Sequence, residues 1–283
     1  YENLKKLRPD LVLNRAEGIG GESRESHIPA FCEMLGIPYV GSGVMANAIG
    51  LDKPTTKIIL EYYGVKTSPF QVFYAISDPM RSGLNFPLIL KPSHEGSSIG
   101  INWDNVVHNE EKLRGKLQEM LKTYDQPILC EEFIDGREFS VGLYGNFTSG
   151  QEPTALPILE VDFTKFPKEL GNVLGQKAKT IFDSSKNYLC PAPISEELRV
   201  RLENEARQAF KVLNCKDWAR MDYRMDNNGE LYFLEVNTLP GIDYNIEHDE
   251  LSFYPMMWYA AGMDFNDMIH KVVQSAIDRY AIV

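Results

Sequence analysis

Residues 218–237, WARMDYRMDNNGELYFLEVN, read as two strands joined by the turn Asp226-Asn227-Asn228-Gly229. Asn-Gly between runs of alternating apolar and polar residues is a strong hairpin signal, and it places strands over 217–225 and 230–237. Side chains alternate with period two across paired strands. An even-length turn therefore puts Arg220 and Asp222 on the same face as Glu235 and Asn237, with Met221, Tyr223, Leu234 and Val236 on the other. Two carboxylates and an amide oxygen are the hard ligands that a pair of Mg²⁺ ions uses when water and phosphate fill the remaining positions. An arginine beside them can stabilise charge on a transferring phosphoryl group. Taken alone, such a face is equally the solvated outer side of a hairpin.

Upstream, Lys91 ends the apolar strand expected over 84–91, which Pro92 closes. Its stem is buried there and its ammonium emerges at the strand end, an expensive position unless an anion meets it. The following loop, Ser93-His94-Glu95-Gly96-Ser97-Ser98-Ile99-Gly100, can turn several N–H groups towards phosphate oxygens. Strands are expected at 127–134, 137–145 and 155–161. The first carries Cys130-Glu131-Glu132-Phe133-Ile134, an apolar and aromatic run with acceptors that suits an adenine. An ordinary edge strand accounts for that run as well.

The N-terminal portion has another organisation. A short strand over Asp10 to Leu13, the glycine-rich loop Glu17 to Glu22, a helix over 27–35 and a strand at Pro38 to Val40 suggest an open α/β sheet. The start at Tyr1 resembles the lead-in to a strand, and a preceding piece is expected. Asp52 is a good N-cap for a helix that Gly64 ends. Ser195 caps another whose apolar residues, from Leu198 to Leu213, keep helical spacing. Residues 162–189 are polar, carry five lysines and show no period, as a lid or mobile loop does.

The 29 basic and 40 acidic residues give a net charge of −11, which argues against a nucleic-acid-coating surface. No run of 18 apolar residues exists, so no membrane partner is expected. Cys32, Cys130, Cys190 and Cys215 fit no zinc spacing. Their apolar neighbours indicate buried, reduced thiols and a cytoplasmic protein. The five histidines share no metal spacing either. His94 is a possible ATP contact, and His248 has the look of a surface residue. Trp218, Met221 and Tyr223 are expected in the core or pocket wall, and Trp258 with Tyr259 against the sheet.

Taken in order, the motifs match one family. They are Lys57 on a helix, Leu-Lys-Pro-Ser-His-Glu-Gly-Ser-Ser-Ile-Gly (90–100) and Glu-Glu-Phe-Ile-Asp-Gly-Arg-Glu-Phe-Ser-Val (131–141). Ala-Arg-Met-Asp (219–222) and Leu-Glu-Val-Asn-Thr-Leu-Pro-Gly (234–241) complete the series. The chain resembles the ATP-grasp superfamily and, within it, the D-alanine–D-alanine ligases. Pro-Tyr-Val-Gly-Ser-Gly-Val-Met-Ala (38–46) and Asp52-Lys53 also look like those ligases. The implied fold is α/β and α+β: two α+β lobes clasping ATP, preceded by part of an open α/β domain. Its divisions fall at 1–52, 53–134 and 135–283.

The resemblance implies roles. Lys57 and Lys91 hold phosphates, with Ser97 and Ser98 in the loop that closes over them. Glu131, Phe133 and Ile134 form the adenine hinge, and Glu138 takes the ribose. Asp222, Glu235 and Asn237 match the ligands of two Mg²⁺ or Mn²⁺ ions. Arg220 matches the arginine that stabilises an acyl phosphate, and Gly241 offers an N–H to the reacting oxygen. Lys179 reaches the γ-phosphate, and Glu22 lies near the first amino acid's ammonium. The partners implied are amino-acid substrates and, as is common in the family, a second copy in a homodimer. Three departures concern substrate choice. Thr180 stands where a tyrosine is usual, Phe163 to Gly175 resemble an insertion, and Ser252 follows Gly241 only after the extra stretch 245–250. A ligase for other amino acids or small acids, and a non-catalytic ATP-binding module, are the alternatives.

Overall fold

The computed structural model describes residues 1–245 and 250–282. Helix α1 (Glu2–Leu7) leads in, and strands β1 (Val12–Leu13) and β2 (Tyr39–Val40) pair in parallel around helix α2 (His27–Leu35). This is the expected strand–loop–helix–strand unit. Helix α3 (Val44–Leu51) runs into α4 (Lys53–Tyr62), which Asp52 caps by accepting the Thr55 N–H at 2.8 Å. Gly64, at φ 82, lies just past its end, in the left-handed conformation that a Cβ penalises.

Four antiparallel strands form the smaller sheet, in the order β3 (Phe70–Phe73), β6 (Ile128–Glu132), β4 (Leu88–Pro92) and β5 (Val106–Val107). Helix α5 (Glu110–Tyr124) sets Leu113, Leu117 and Met120 against Phe73, Leu88, Leu90 and Ile128. The strand expected from residue 84 pairs only from Leu88. Before it, Leu84 packs in the core while the Asn85 N–H donates to the Glu132 carboxylate at 2.7 Å, a side-chain tie in place of a ladder.

The larger sheet runs β10 (Tyr188–Leu189), β9 (Leu159–Val161), β7 (Arg137–Tyr144), β11 (Trp218–Met225) and β12 (Leu231–Asn237), with β8 (Thr154–Ala155) also on β7. Helix α7 (Glu196–Val212) buries Leu202, Ala206 and Phe210 against Phe139, Val141, Met221 and Phe233. Helices α8 (Phe253–Ala260) and α9 (Phe265–Tyr280) pack with Trp218 and Leu159 through Tyr254, Met257, Trp258 and Val272. Trp258 is fully buried, but Tyr259, expected beside it, is 40% exposed because successive helical residues point about 100° apart. Leu60 of α4 and the following Val65 enter the large-sheet core, so α4 bridges the two sheets.

Residues 162–189 are folded. They form 3₁₀ turns at Phe163–Lys165, Lys168–Leu170 and Ser185–Asn187, a short helix α6 (Gln176–Thr180) and strand β10. Phe166, Val173, Leu174, Ala178 and Tyr188 are buried at irregular spacing, which is why no period announced the structure. Strands β13 (Tyr244–Asn245) and β14 (Glu250–Leu251) pair, so the extra stretch is built as a hairpin. His248 lies outside the described residues. Among the described residues no helix is long and apolar enough to cross a membrane. Cys32, Cys130 and Cys215 are buried thiols, and Cys190 is half-buried.

Candidate active site

The two sheets face each other across a cleft in which charged side chains converge. Lys91 closes β4 and Lys57 comes from α4; both reach Glu131 on β6. Lys57 Nζ lies 2.7 Å from one Glu131 oxygen and Lys91 Nζ 2.5 Å from the other. Lys57 is 0% exposed and also donates to Ser68 Oγ and to the Phe233 carbonyl, each at 3.3 Å. Ser68 Oγ in turn donates to Glu131 at 2.7 Å. Burial would raise the Glu131 carboxyl, but the two ammonium groups outweigh it and hold it well below the usual carboxylate range. Burial holds Lys57 below the ordinary lysine value against the opposing charge of Glu131, and Lys91 adds to the lowering.

The hairpin face forms by a different route from the one expected. The loop between β11 and β12, residues 226–230, has an odd length, and next to it Tyr223 faces Phe233. A bulge then leaves Leu234 over, so that Asp222 faces Glu235 and Arg220 faces Asn237. The Phe233 N–H donates to the Lys66 carbonyl at 2.9 Å while its own carbonyl accepts from Lys57, which fixes the backbone where the extra residue enters. Leu234, expected on the opposite face, lines the cleft as a result.

Every charge on this face has a protein partner. Asp222 accepts from Arg220 Nε and Nη2 at 2.9 Å each, from Ser140 Oγ at 2.6 Å and from Asn237 Nδ2 at 3.2 Å. Glu235 meets Lys53 Nζ at 3.4 Å. Burial would raise the Glu235 carboxyl, yet Lys53, Lys179, Arg220 and Lys91 together hold it at about 2. The guanidinium of Arg220 lies over the Phe253 ring, 5.2 Å from its centroid.

Phe133 and Ile134 line the apolar end of the cleft with Ile89, Ile101 and Val173. Trp103 meets the Phe133 ring edge-on at 5.8 Å. Glu138 accepts from Arg224 Nε at 2.9 Å. Arg224 also donates to the carbonyls of Gly136 and Asn172 and stacks over Phe163 and Phe133. It escaped the sequence reading although it continues the alternation Arg220, Asp222, Arg224. The lid stretch closes on the opposite lobe through Ser98 Oγ to the Leu174 carbonyl (2.9 Å) and the Gln176 N–H to the Ile101 carbonyl (2.8 Å). Lys179 thereby lines the cleft. Ser97 is exposed, and both serines have positive φ, 52 and 57.

The remaining predicted residues are scattered. Glu22 is exposed and does not line the cleft. Glu25, three residues on, is half-buried, and burial followed by Glu17 pushes its carboxyl up to about 7 against the opposing charges of Arg24 and Lys53. Arg24 donates to the His94 carbonyl at 2.7 Å and to Glu95 at 3.1 Å, joining the N-terminal loop to the loop after Lys91. His94 contacts Asp52 at 3.1 Å instead of lining the cleft. Thr180 is exposed and bonds back to the Gln176 carbonyl. Gly241 abuts Ser252: a Cβ built on it would lie 2.8 Å from the serine Oγ. Ser252 Oγ accepts the Asp243 N–H at 3.2 Å, so the hairpin at 244–251 returns the serine to a position beside Gly241. Ser68, Arg24 and Glu25 gave no signal in the sequence, because their neighbours in space lie far away along the chain.

The family model described as D-ala D-ala ligase C-terminus matches residues 59–274. A D-alanine–D-alanine ligase of Pelotomaculum thermopropionicum is 34% identical over 291 residues, covering 99% of this chain and 84% of its own. An uncharacterised protein of Sinorhizobium fredii is 33% identical over 270 residues, covering 95% of this chain and 75% of its own. In three dimensions the chain matches a D-alanine–D-alanine ligase of Bacillus anthracis solved with ATP, at a TM-score of 0.75 and 23% identity, over 98% of this chain and 83% of that one. At that identity the likeness concerns the fold, which is the ATP-grasp fold.

Proposed function

The chain belongs to the D-alanine–D-alanine ligase family, and we propose that it uses ATP to join two amino acids, D-alanine to D-alanine, for a peptidoglycan precursor. The observation that carries this reading is the single cleft in which Lys91, Lys179, Asp222 and Glu235 surround one end and Phe133 and Ile134 the other. Such a cleft suits a molecule with an anionic tail and a flat apolar head.

In this reading Lys57, Lys91 and the Ser97–Ser98 loop bind the phosphates, with Lys179 reaching the γ-phosphate from the lid. Phe133 and Ile134 seat the adenine, and Glu138 binds the ribose. Asp222, Glu235 and Asn237 fit divalent cations. The two carboxylates stand directly opposite each other, and Glu235 stays ionised at neutral pH. Two Mg²⁺ or Mn²⁺ ions held there would screen the phosphate charge. Arg220 stabilises the negative charge that develops as the donor carboxylate becomes an acyl phosphate and the acceptor amine attacks it. The Gly241 N–H faces the reacting oxygen, and Glu22 serves the donor ammonium. The closed lid keeps water from the acyl phosphate. Residues 1–52 then carry the donor side, 53–134 the lobe over the nucleotide and 135–283 the metal-bearing lobe, in a cytoplasmic homodimer.

The test is phosphate release from ATP and Mg²⁺ against a panel of D- and L-amino acids. Release that requires D-alanine, with a dipeptide product, supports the reading. Release only with another acid or amine moves the chain to a different ligase activity, and ATP binding without release on any substrate makes it a non-catalytic module.

A further inference from the structure

Glu131 is the least accessible carboxylate of the cleft, at 1% exposure, and both its oxygens face lysines. The sheet register explains the arrangement. Glu131 lies opposite Ile89 on β4, and Lys91, two residues on, shares that face, so the two form a diagonal pair within reach of long side chains. Lys57 arrives from α4, and Ser68 Oγ holds the oxygen it meets. Two ammonium groups thus share one carboxylate, leaving a surplus positive charge at the lysine end of the cleft. An uncompensated charge in so buried a place costs several kcal/mol or loses its proton. The other charged groups around this cluster are Glu61 on α4 and, across the cleft, Glu235 with its own partner Lys53.

We propose that Glu131 is a positioning residue that keeps Lys57 and Lys91 charged and in place for the polyphosphate of ATP, instead of a side chain that reads the adenine. The proposal rests on the ATP reading above. Its carboxylate is already committed at 2.7 Å and 2.5 Å, which leaves recognition of the base to the neighbouring Phe133 and Ile134.

The experiment is equilibrium binding of adenosine, AMP, ADP and ATP, with Mg²⁺, to the full chain and to Glu131→Gln. The wild type is expected to tighten with each added phosphate. The variant should bind ATP and ADP at least tenfold more weakly while its adenosine affinity stays within twofold, and in turnover KM for ATP should rise more than kcat falls. Loss of adenosine affinity in step with ATP overturns the proposal in favour of a base contact, and unchanged ATP affinity overturns it outright. If the Gln variant does not fold, Glu131→Asp replaces it: one methylene shorter, it cannot span both lysines, and the same selective loss is expected in weaker form. Equal Asp and wild-type ladders count against the proposal. A wild type that binds adenosine and ATP alike removes the ATP reading, and this inference with it.

Discussion

The nucleotide end and the amino-acid end of the cleft are built differently. At the first, Glu131, Asp222, Glu235 and Glu138 each meet a lysine or arginine, and the partners are mostly buried. At the second, Glu22 is exposed, Arg15 and Asp243 meet on the open surface, and Glu25 has no hydrogen bond or ion pair among the described residues. Buried ion pairs fix geometry because breaking one leaves an unpaired charge, at about 3–5 kcal/mol. Exposed ones fix little, about 0–1 kcal/mol. The nucleotide end is therefore preorganised, whereas the amino-acid end leaves its polar groups open to substrate.

Substitutions that cross this divide should differ in size. Glu235→Ala is expected to have the largest effect, a loss of turnover of roughly 10³-fold or more in phosphate release, with near-native circular dichroism. Retained turnover would remove Glu235 from the metal set. Arg224→Met keeps a long stem but frees Glu138 and the Asn172 carbonyl. It should raise KM for ATP about tenfold, roughly 1.4 kcal/mol, and speed proteolysis within 162–189; an unchanged digestion rate would show that the arginine does not secure the lid. Ser252→Ala should raise KM for the acceptor amino acid several-fold and leave KM for ATP alone. A change in both would break the division between the two ends.

The smallest effect concerns pH. Glu25 holds its proton up to about 7 in the folded protein, while the unfolded chain releases it near 4.5. The folded state binds more protons between those values, so this group lowers stability as pH rises from 5 to 8. Glu25→Gln should flatten the fall in Tm over that window. An unaltered slope would place the carboxylate in contact with solvent or a cation.

Much of this was legible in the chain. Asp52, Gly64 and Ser195 marked helix ends because capping is local chemistry, and Lys91 at the end of an apolar strand announced an anion site from its own neighbours. The ordered motifs identified the ATP-grasp fold. The lid was illegible because it is anchored by irregularly spaced residues on another lobe, as Ser98 to Leu174 shows.

The hairpin marks the boundary most sharply. Sequence alone determined that Arg220, Asp222, Glu235 and Asn237 belong to two adjacent strands, since alternation and turn residues are properties of nearby positions. Which of them face one another was decided by the tertiary structure. The turn has odd length, and the bulge at Leu234 restores the register. The Phe233 backbone at that step is held by the Lys66 carbonyl and by the Lys57 ammonium, groups more than 160 positions away. A one-residue slip moves every side chain to the other face, so contacts remote in sequence decided whether the carboxylates meet.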